Sequence, residues 1–151
     1  LTDNQRWLIS YKDISFGKGD LLGQGKFGAV YKARYQHSPV AIKMMKGIIS
    51  EQVAPFLEEA KLMKALQPHS NIVQIQGFCM DPFPIIVIEF MSGGSLLDLI
   101  EQRKLQAHEI NDLATGIAAG MIHLSAAHIV HRDLAARNIL LTDGLVPKIS
   151  D

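Results

Sequence analysis

HRDLAARN, residues 131–138, is the stretch of this 151-residue chain that decides its fold. It places the carboxylate of Asp133 and the carboxamide of Asn138 five positions apart on one short segment. At that spacing a carboxylate can orient an attacking hydroxyl or act as its base, while a carboxamide holds a metal ion during phosphoryl transfer. The octet therefore predicts a catalytic loop, with Asp133 as the catalytic group and Asn138 as a magnesium ligand.

A glycine-rich segment, GQGKFG at residues 23–28, supplies a second sign of phosphate chemistry. Gly23, Gly25 and Gly28 would let backbone amides approach phosphate oxygens without side chains in the way. The residues from Val30 onward alternate with the period of a strand, whereas a dinucleotide-binding loop opens a helix. We therefore expect a strand, a loop and a strand, against a Rossmann-type oxidoreductase. A glycine-rich hairpin without a ligand is the alternative.

Lys43 ends the apolar run VAIK at residues 40–43, where a lone ammonium needs an anionic partner. A nucleotide phosphate and a helix carboxylate are the two candidate partners. Pro55 opens a stretch whose apolar residues recur at helical spacing, which predicts an amphipathic helix ending near Pro68. Glu59 lies four residues before Met63 and shares its inward face. We therefore expect Glu59, rather than Glu58, to pair with Lys43.

The chain divides into a strand-rich part and a helix-rich part that meet near Met91. Strand-like runs lie within residues 14–30, 40–44, 72–78 and 84–90, and the last is continuously apolar. Beyond a Ser-Gly-Gly break, residues 96–102 and 110–124 have helical periodicity. The expected domains are a linker segment at residues 1–13, a strand-rich lobe at 14–90 and a helical part at 91–151.

Together these segments resemble the catalytic domain of eukaryotic protein kinases. The glycine loop, the lysine, the helix glutamate and the catalytic loop stand in the order that this family requires. Asp151 follows Lys148-Ile149-Ser150 as the metal-binding aspartate of the DFG motif follows its strand, which implies a second magnesium ligand. The resemblance implies an α+β fold with a five-stranded antiparallel sheet and one helix in the N-lobe, followed by a partial helical C-lobe.

The resemblance also implies how ATP would be held. Lys43 would bind the α and β phosphates while Glu59 orients it, and Ile88 would be the gatekeeper before the hinge. The residues that would contact the nucleotide are Leu22, Gly23, Gly25, Gly28, Val30, Ala41, Lys43, Ile88, Glu89, Met91, Asp98 and Leu140. The catalytic set would be Asp133, Lys43, Glu59, Arg137 and Asn138, and Asn138 and Asp151 would hold Mg²⁺.

The implied activity is transfer of the ATP γ-phosphoryl group to a protein hydroxyl. The LAARN ending favours tyrosine, because Arg137 there replaces a lysine that serine/threonine kinases carry where this chain has Ala135. The run HSNIV at residues 69–73 also resembles tyrosine-kinase-like proteins that modify serine or threonine, which keeps that alternative open. A pseudokinase scaffold is a further alternative, but a decayed site usually loses at least one of its lysine, aspartate or asparagine residues, and all are present.

Composition limits the partners and the compartment. Fifteen basic and fifteen acidic residues cancel, so no global field favours nucleic acid or an anionic membrane, and no run is long enough to span a bilayer. A single cysteine, Cys79, fits a reducing compartment and predicts a cytoplasmic protein with this thiol buried. The chain starts at Leu1 and stops at Asp151, so we expect a fragment of a longer kinase that is inactive alone.

Overall fold

The computed structural model describes residues 6–24, 28–45 and 50–150. These residues form two compact units. The first, here called the sheet unit, contains the described residues up to Ala65 together with Gln74–Phe90. The second, the helical unit, contains Leu66–Val73 and the described residues from Met91 onward.

The sheet unit is built on one antiparallel sheet of six strands. Its order is β1-β3-β4-β6-β5, and β2 also pairs with β3. The strands are β1 (Ile14–Ser15), β2 (Leu21–Gln24), β3 (Gly28–Tyr35), β4 (Ser38–Met45), β5 (Ile75–Cys79) and β6 (Ile85–Glu89). The five-stranded antiparallel sheet predicted from the sequence is confirmed, and β1 adds a two-residue edge. Because Gly28 begins a strand, the Rossmann alternative is wrong.

The sheet core is made by the apolar runs of β4 and β6. Val40, Ile42, Ile85 and Val87 are fully buried, as expected for continuously apolar strands in the middle of a sheet. Strand β4 returns along β3 after a two-residue turn, Gln36-His37, in which both residues have positive φ. Positive φ at both turn residues matches the right-handed twist of the flanking strands. This hairpin sets the position of Lys43, which pairs with Val30.

Helix α1 (Ser50–Ala65) carries Glu59 and begins earlier than predicted. Pro55 lies inside the helix rather than opening it. Because proline lacks only its own N–H, a place near the helix start costs one intrahelical hydrogen bond, and the residues before it can still be helical. Phe56 and Ala60 pack with Ile75 and Ile86, which turns one face of α1 toward the sheet.

The strand predicted over residues 72–78 is shorter than expected, since β5 begins only at Ile75. Ile72 instead forms a parallel bridge with Ile149 in the helical unit, and the Val73 N–H donates to the Ile149 carbonyl at 3.0 Å. Periodicity could not show this division, because both parts of the run are apolar and only their tertiary partners differ.

The end of the predicted linker segment packs onto the sheet unit. Leu8 forms a parallel bridge with Phe78, and the Ile9 N–H donates to the Phe78 carbonyl at 2.9 Å. Ile9 is only 8% exposed. Lys64 of α1 lies over the Trp7 ring, with Nζ 5.2 Å from the ring centroid. Residues 7–9 are therefore part of the sheet unit's packing.

The helical unit contains two helices and a short hairpin. They are α2 (Leu96–Gln102), α3 (Ala107–Ala126), β7 (Ile139–Leu141) and β8 (Pro147–Ile149). Leu113 and Leu124 of α3 pack against Ile139, Leu141 and Ile149 of the hairpin, and these residues form the core of the unit. No helix within the described ranges is long and apolar enough to cross a membrane.

An ion pair fastens the connection between α2 and α3. Arg103 donates from Nη1 to Glu109 Oε1 at 2.9 Å and from Nη2 to Oε2 at 2.7 Å. The Gln106 N–H also donates to Glu109 Oε1, at 3.0 Å. The hydrogen bonds from Arg103, followed by the one from Gln106, lower the pKa of Glu109 from 4.5 to about 2.

We expect Glu109→Gln, which mimics the protonated carboxyl, to lower the thermal midpoint by about 2 °C, since exposed ion pairs contribute little. A lowered pKa means that the stabilisation is complete above the unfolded pKa and lost as the pH falls through the folded pKa. The difference in thermal midpoint between Glu109→Gln and the unchanged protein should therefore be constant above pH 4.5 and shrink as the pH falls toward about 2. Unfolding of both proteins across this range measures it, with the exposed Glu101→Gln as a control. A difference independent of pH would contradict the assignment.

Candidate active site

Lys43 and Glu59 meet within the sheet unit. Lys43 Nζ lies 3.0 Å from Glu59 Oε1, with side chains that are 25% and 40% exposed. The structure therefore contains the contact expected from the helical spacing. Glu58, one residue earlier, pairs instead with Lys61 at 2.8 Å on the exposed face of α1. The two glutamates therefore occupy different faces of α1: Glu59 contacts Lys43, and Glu58 lies on the exposed face.

Two strands flank the glycine-rich loop. Gly23 pairs with Val30 and Gln24 with Ala29, so β2 and β3 hold both ends of the segment. A Cβ on Gly28 would overlap the carbonyl oxygen of Met44, and only glycine fits there. Gly25 lies outside the described residues, and its predicted contact with phosphate stays a prediction.

The other predicted nucleotide residues of the sheet unit occupy β2, β3, β4 and β6. Ala41 is buried and pairs with Ile88, which packs beside α1. Leu22, in β2, is 53% exposed. The Glu89 N–H donates to the Gln74 carbonyl at 3.0 Å, so this backbone donor has a partner within the unit.

Three predicted nucleotide residues belong to the helical unit. Met91 is buried, and its carbonyl accepts a hydrogen bond from Gly94 N–H at 3.3 Å. Asp98 is exposed and caps α2: its carboxylate accepts from Ser95 N–H at 3.3 Å, while its own N–H donates to Ser95 Oγ at 3.1 Å. Leu140 is half-buried in β7 and bridges to Ser95. The predicted ribose contact of Asp98 would therefore come from a carboxylate that also caps the start of α2.

The predicted catalytic loop brings Arg137 and Asn138 to the carboxylate of Asp133. Arg137 Nη2 donates to Asp133 Oδ1 at 2.5 Å, and Asn138 Nδ2 donates to Asp133 Oδ2 at 3.0 Å. The hydrogen bond from Arg137 is the main cause that lowers the pKa of Asp133 below its ordinary value, and the bond from Asn138 acts in the same direction. Asp133 is therefore held as a carboxylate whose two oxygens have fixed orientations.

His131 makes two hydrogen bonds, one within this loop and one to Ser150. Its Nδ1 accepts from the Asp133 N–H at 3.1 Å, so its Nε2 carries the proton and donates to the Ser150 carbonyl at 2.6 Å. The Ser150 N–H in turn donates to the Asn138 carbonyl at 2.8 Å. Sequence shows the histidine beside the aspartate, but these bonds depend on the β7–β8 hairpin.

Asn138 has the right atom to hold a divalent cation. Both of its side-chain hydrogen bonds, to Asp133 Oδ2 and to the Asp133 carbonyl, use Nδ2. Its Oδ1 has no hydrogen-bond partner among the described residues, and an amide oxygen is a ligand that Mg²⁺ accepts. Asp151, the other predicted metal ligand, lies outside the described residues.

The chain is similar to known proteins over almost all of its length. The profile of the family described as protein tyrosine and serine/threonine kinase matches residues 16–151. Tyrosine-protein kinase Fer of Mus musculus is 38% identical over 153 residues, which cover 98% of this chain and 18% of the relative. The tyrosine-protein kinases TXK of Mus musculus and SRK2 of Spongilla lacustris are each 41% identical, over 97% and 96% of this chain. The chain spans 28% of TXK and 40% of SRK2, so it corresponds to less than half of each relative.

Proposed function

Since the chain belongs to the protein tyrosine and serine/threonine kinase family, we propose that it is the nucleotide-binding and catalytic-loop part of a tyrosine kinase. In the whole protein, this part would transfer the γ-phosphoryl group of ATP to a tyrosyl hydroxyl of a protein substrate. The observation that carries the proposal is the Asp133 carboxylate, held by Arg137 and Asn138 in the spacing of a phosphoryl-transfer loop. The relatives named tyrosine-protein kinase support tyrosine as the acceptor.

Asp133 would orient the substrate hydroxyl and accept its proton. The hydroxyl oxygen forms a bond to the γ-phosphorus as the bond from that phosphorus to the β-γ bridging oxygen breaks, and ADP leaves. Arg137 keeps Asp133 ionised and fixes one of its oxygens. The other oxygen is fixed by Asn138. A carboxylate whose orientation is fixed before substrate binds loses no further conformational freedom during the reaction.

Lys43 would bind the α and β phosphates, and Glu59 would hold its ammonium in place. Leu22, Val30, Ala41 and Leu140 would contact the adenine, with Ile88 as gatekeeper and Glu89 and Met91 offering hinge groups, while the Gly23–Gly28 segment covers the phosphates. Bound Mg²⁺ would supply charge neutralisation at the β and γ phosphates. Asn138, through Oδ1, and Asp151 are the residues that would hold it.

The proposal extends to organisation and compartment. Residues 14–90 would be the N-lobe and residues 91–151 part of the C-lobe. The boundary between Phe90 and Met91 supports this division, whereas Leu66–Val73 belong to the helical unit. Residues 1–13 would form a linker segment whose end packs on the N-lobe. With a single cysteine, this chain cannot form an internal disulfide, which is typical of proteins in reducing compartments and supports a cytoplasmic location.

A pair of peptides that differ only in the acceptor, tyrosine or serine, tests the proposed acceptor in the full-length protein. With radiolabelled ATP, we expect kcat/KM for the tyrosine peptide to exceed that for the serine peptide by about 100-fold or more. Equal or faster transfer to serine would assign the protein to the serine/threonine alternative. Tight ATP binding without transfer to either peptide would favour the scaffold alternative.

A further inference from the structure

The outer edge of β5 is covered by residues 7–9, here called the N-terminal latch. In the sheet order, β5 stands at the end and pairs with β6 on one side. On its other side lie the parallel bridge from Leu8 to Phe78 and the hydrogen bond from Ile9 N–H to the Phe78 carbonyl, 2.9 Å long. One bridge and one hydrogen bond are a small fraction of the ladder that joins β5 to β6.

Gly77 of β5 lies where the latch packs against the strand. A Cβ on Gly77 would lie 2.6 Å from the Trp7 carbonyl oxygen and 2.5 Å from Ile9 Cδ1. Real Cβ atoms do not approach a backbone oxygen so closely, and the backbone of the latch would have to move. The missing side chain at this position therefore lets residues 7–9 reach β5.

Cys79 lies directly under the latch. Its side chain is 2% exposed and belongs to the same core cluster as Ile9. Beside it is a cavity of about 370 Å³, lined by residues 8–12 on the latch side and by residues 79–82 on the β5 side. Residues of the latch and Cys79 therefore line the same cavity.

We propose that the latch is a releasable cover, whose local opening from β5 exposes the thiol of Cys79 while the sheet stays folded. Segments with few buried contacts open at lower free energy than the core to which they attach. Among the described residues, the latch has one parallel bridge to β5, a half-exposed Leu8 and a cavity beside it. Once Ile9 leaves, solvent and thiol reagents reach Cys79.

The chain carries its own reporter, because Cys79 is its only cysteine. Under native conditions, we expect a maleimide to label Gly77→Ala about tenfold faster than the unchanged protein, since the reagent needs an exposed thiol. Gly19→Ala is the matched control: the same substitution in the same unit, at a position where a Cβ meets nothing within 4 Å. Gly77→Ala labelling at the rate of the control would overturn the proposal.

Hydrogen–deuterium exchange separates local opening from unfolding of the sheet. In Gly77→Ala, faster exchange should be confined to residues 6–13 and 75–83, and equal acceleration in β3 and β4 would overturn the proposal. If Gly77→Ala does not fold, Ile9→Ala and Ile14→Ala decide the question, because both residues are buried in one core cluster but only Ile9 lines the cavity. Faster labelling in Ile9→Ala supports the latch, and equal rates in the two variants overturn it.

Discussion

Asp133→Asn in the full-length protein is expected to lower kcat about 10³-fold while changing ATP affinity less than about twofold. The asparagine keeps the size of the side chain, and its single oxygen can still accept a hydrogen bond from Arg137 or from Asn138. The nucleotide-binding residues of the sheet unit are not touched by the change. The asparagine cannot accept the proton of the substrate hydroxyl, and it loses the charge that orients this group. Single-turnover rates and equilibrium binding of ATP, measured on the same preparation, separate the two effects.

The matched control is Asp143→Asn, which makes the same change at a turn aspartate of the helical unit. Asp143 accepts a hydrogen bond only from its neighbour Gly144 in the described contacts, at 2.9 Å, and has no proposed part in the reaction. It should retain kcat within about twofold. If Asp133→Asn weakened ATP binding as much as turnover, Asp133 would be a binding group and the proposed role would be wrong.

Lys43→Met is expected to lower kcat/KM for ATP about 100-fold or more, because it removes the cation proposed to hold the phosphates and leaves the Glu59 carboxylate without its ion pair. Methionine retains much of the apolar stem, so the fold of β4 should persist. Steady-state kinetics with varied ATP, together with direct nucleotide binding, measure the loss.

Lys61→Met provides the comparison, since it breaks a second lysine–glutamate pair in the same unit. The Lys61–Glu58 pair is close, at 2.8 Å, but lies on the exposed face of α1. Such pairs contribute about 1 kcal/mol or less, and this variant should keep its kinetics within about twofold. Similar losses in both variants would show that general destabilisation, rather than phosphate binding, causes the effect.

The parts of the fold predicted correctly depend on local patterns. The alternation after Gly28 predicted β3, and the apolar runs predicted β4 and β6. Helical spacing distinguished Glu59 from Glu58, because positions four residues apart share a face whatever the helix packs against. The five-residue spacing of Asp133 and Asn138 let the sequence predict that their side chains meet, and they do, at 3.0 Å.

Most of the parts not predicted depend on tertiary partners. Helix α1 begins before Pro55, because a proline in the first turns of a helix removes one intrahelical hydrogen bond and leaves the preceding residues free to be helical. Residues 72–78 divide between the two units: Ile72 pairs with Ile149 in the helical unit, and β5 begins at Ile75 in the sheet unit. The hydrogen bond from His131 to the Ser150 carbonyl requires Ser150, nineteen positions away, to return beside it. No period or motif in a single sequence encodes such approaches.

The packing of residues 7–9 has a consequence for choosing where this domain starts. The family profile begins at residue 16, yet Ile9 and Ile14 are both buried in the core of the sheet unit. A protein shortened to the profile would expose an apolar sheet face and leave the outer edge of β5 open to pairing with other chains. We expect such a shortened protein to give a lower yield and to aggregate, because part of its fold is missing. The physical boundary of the domain lies at or before Trp7.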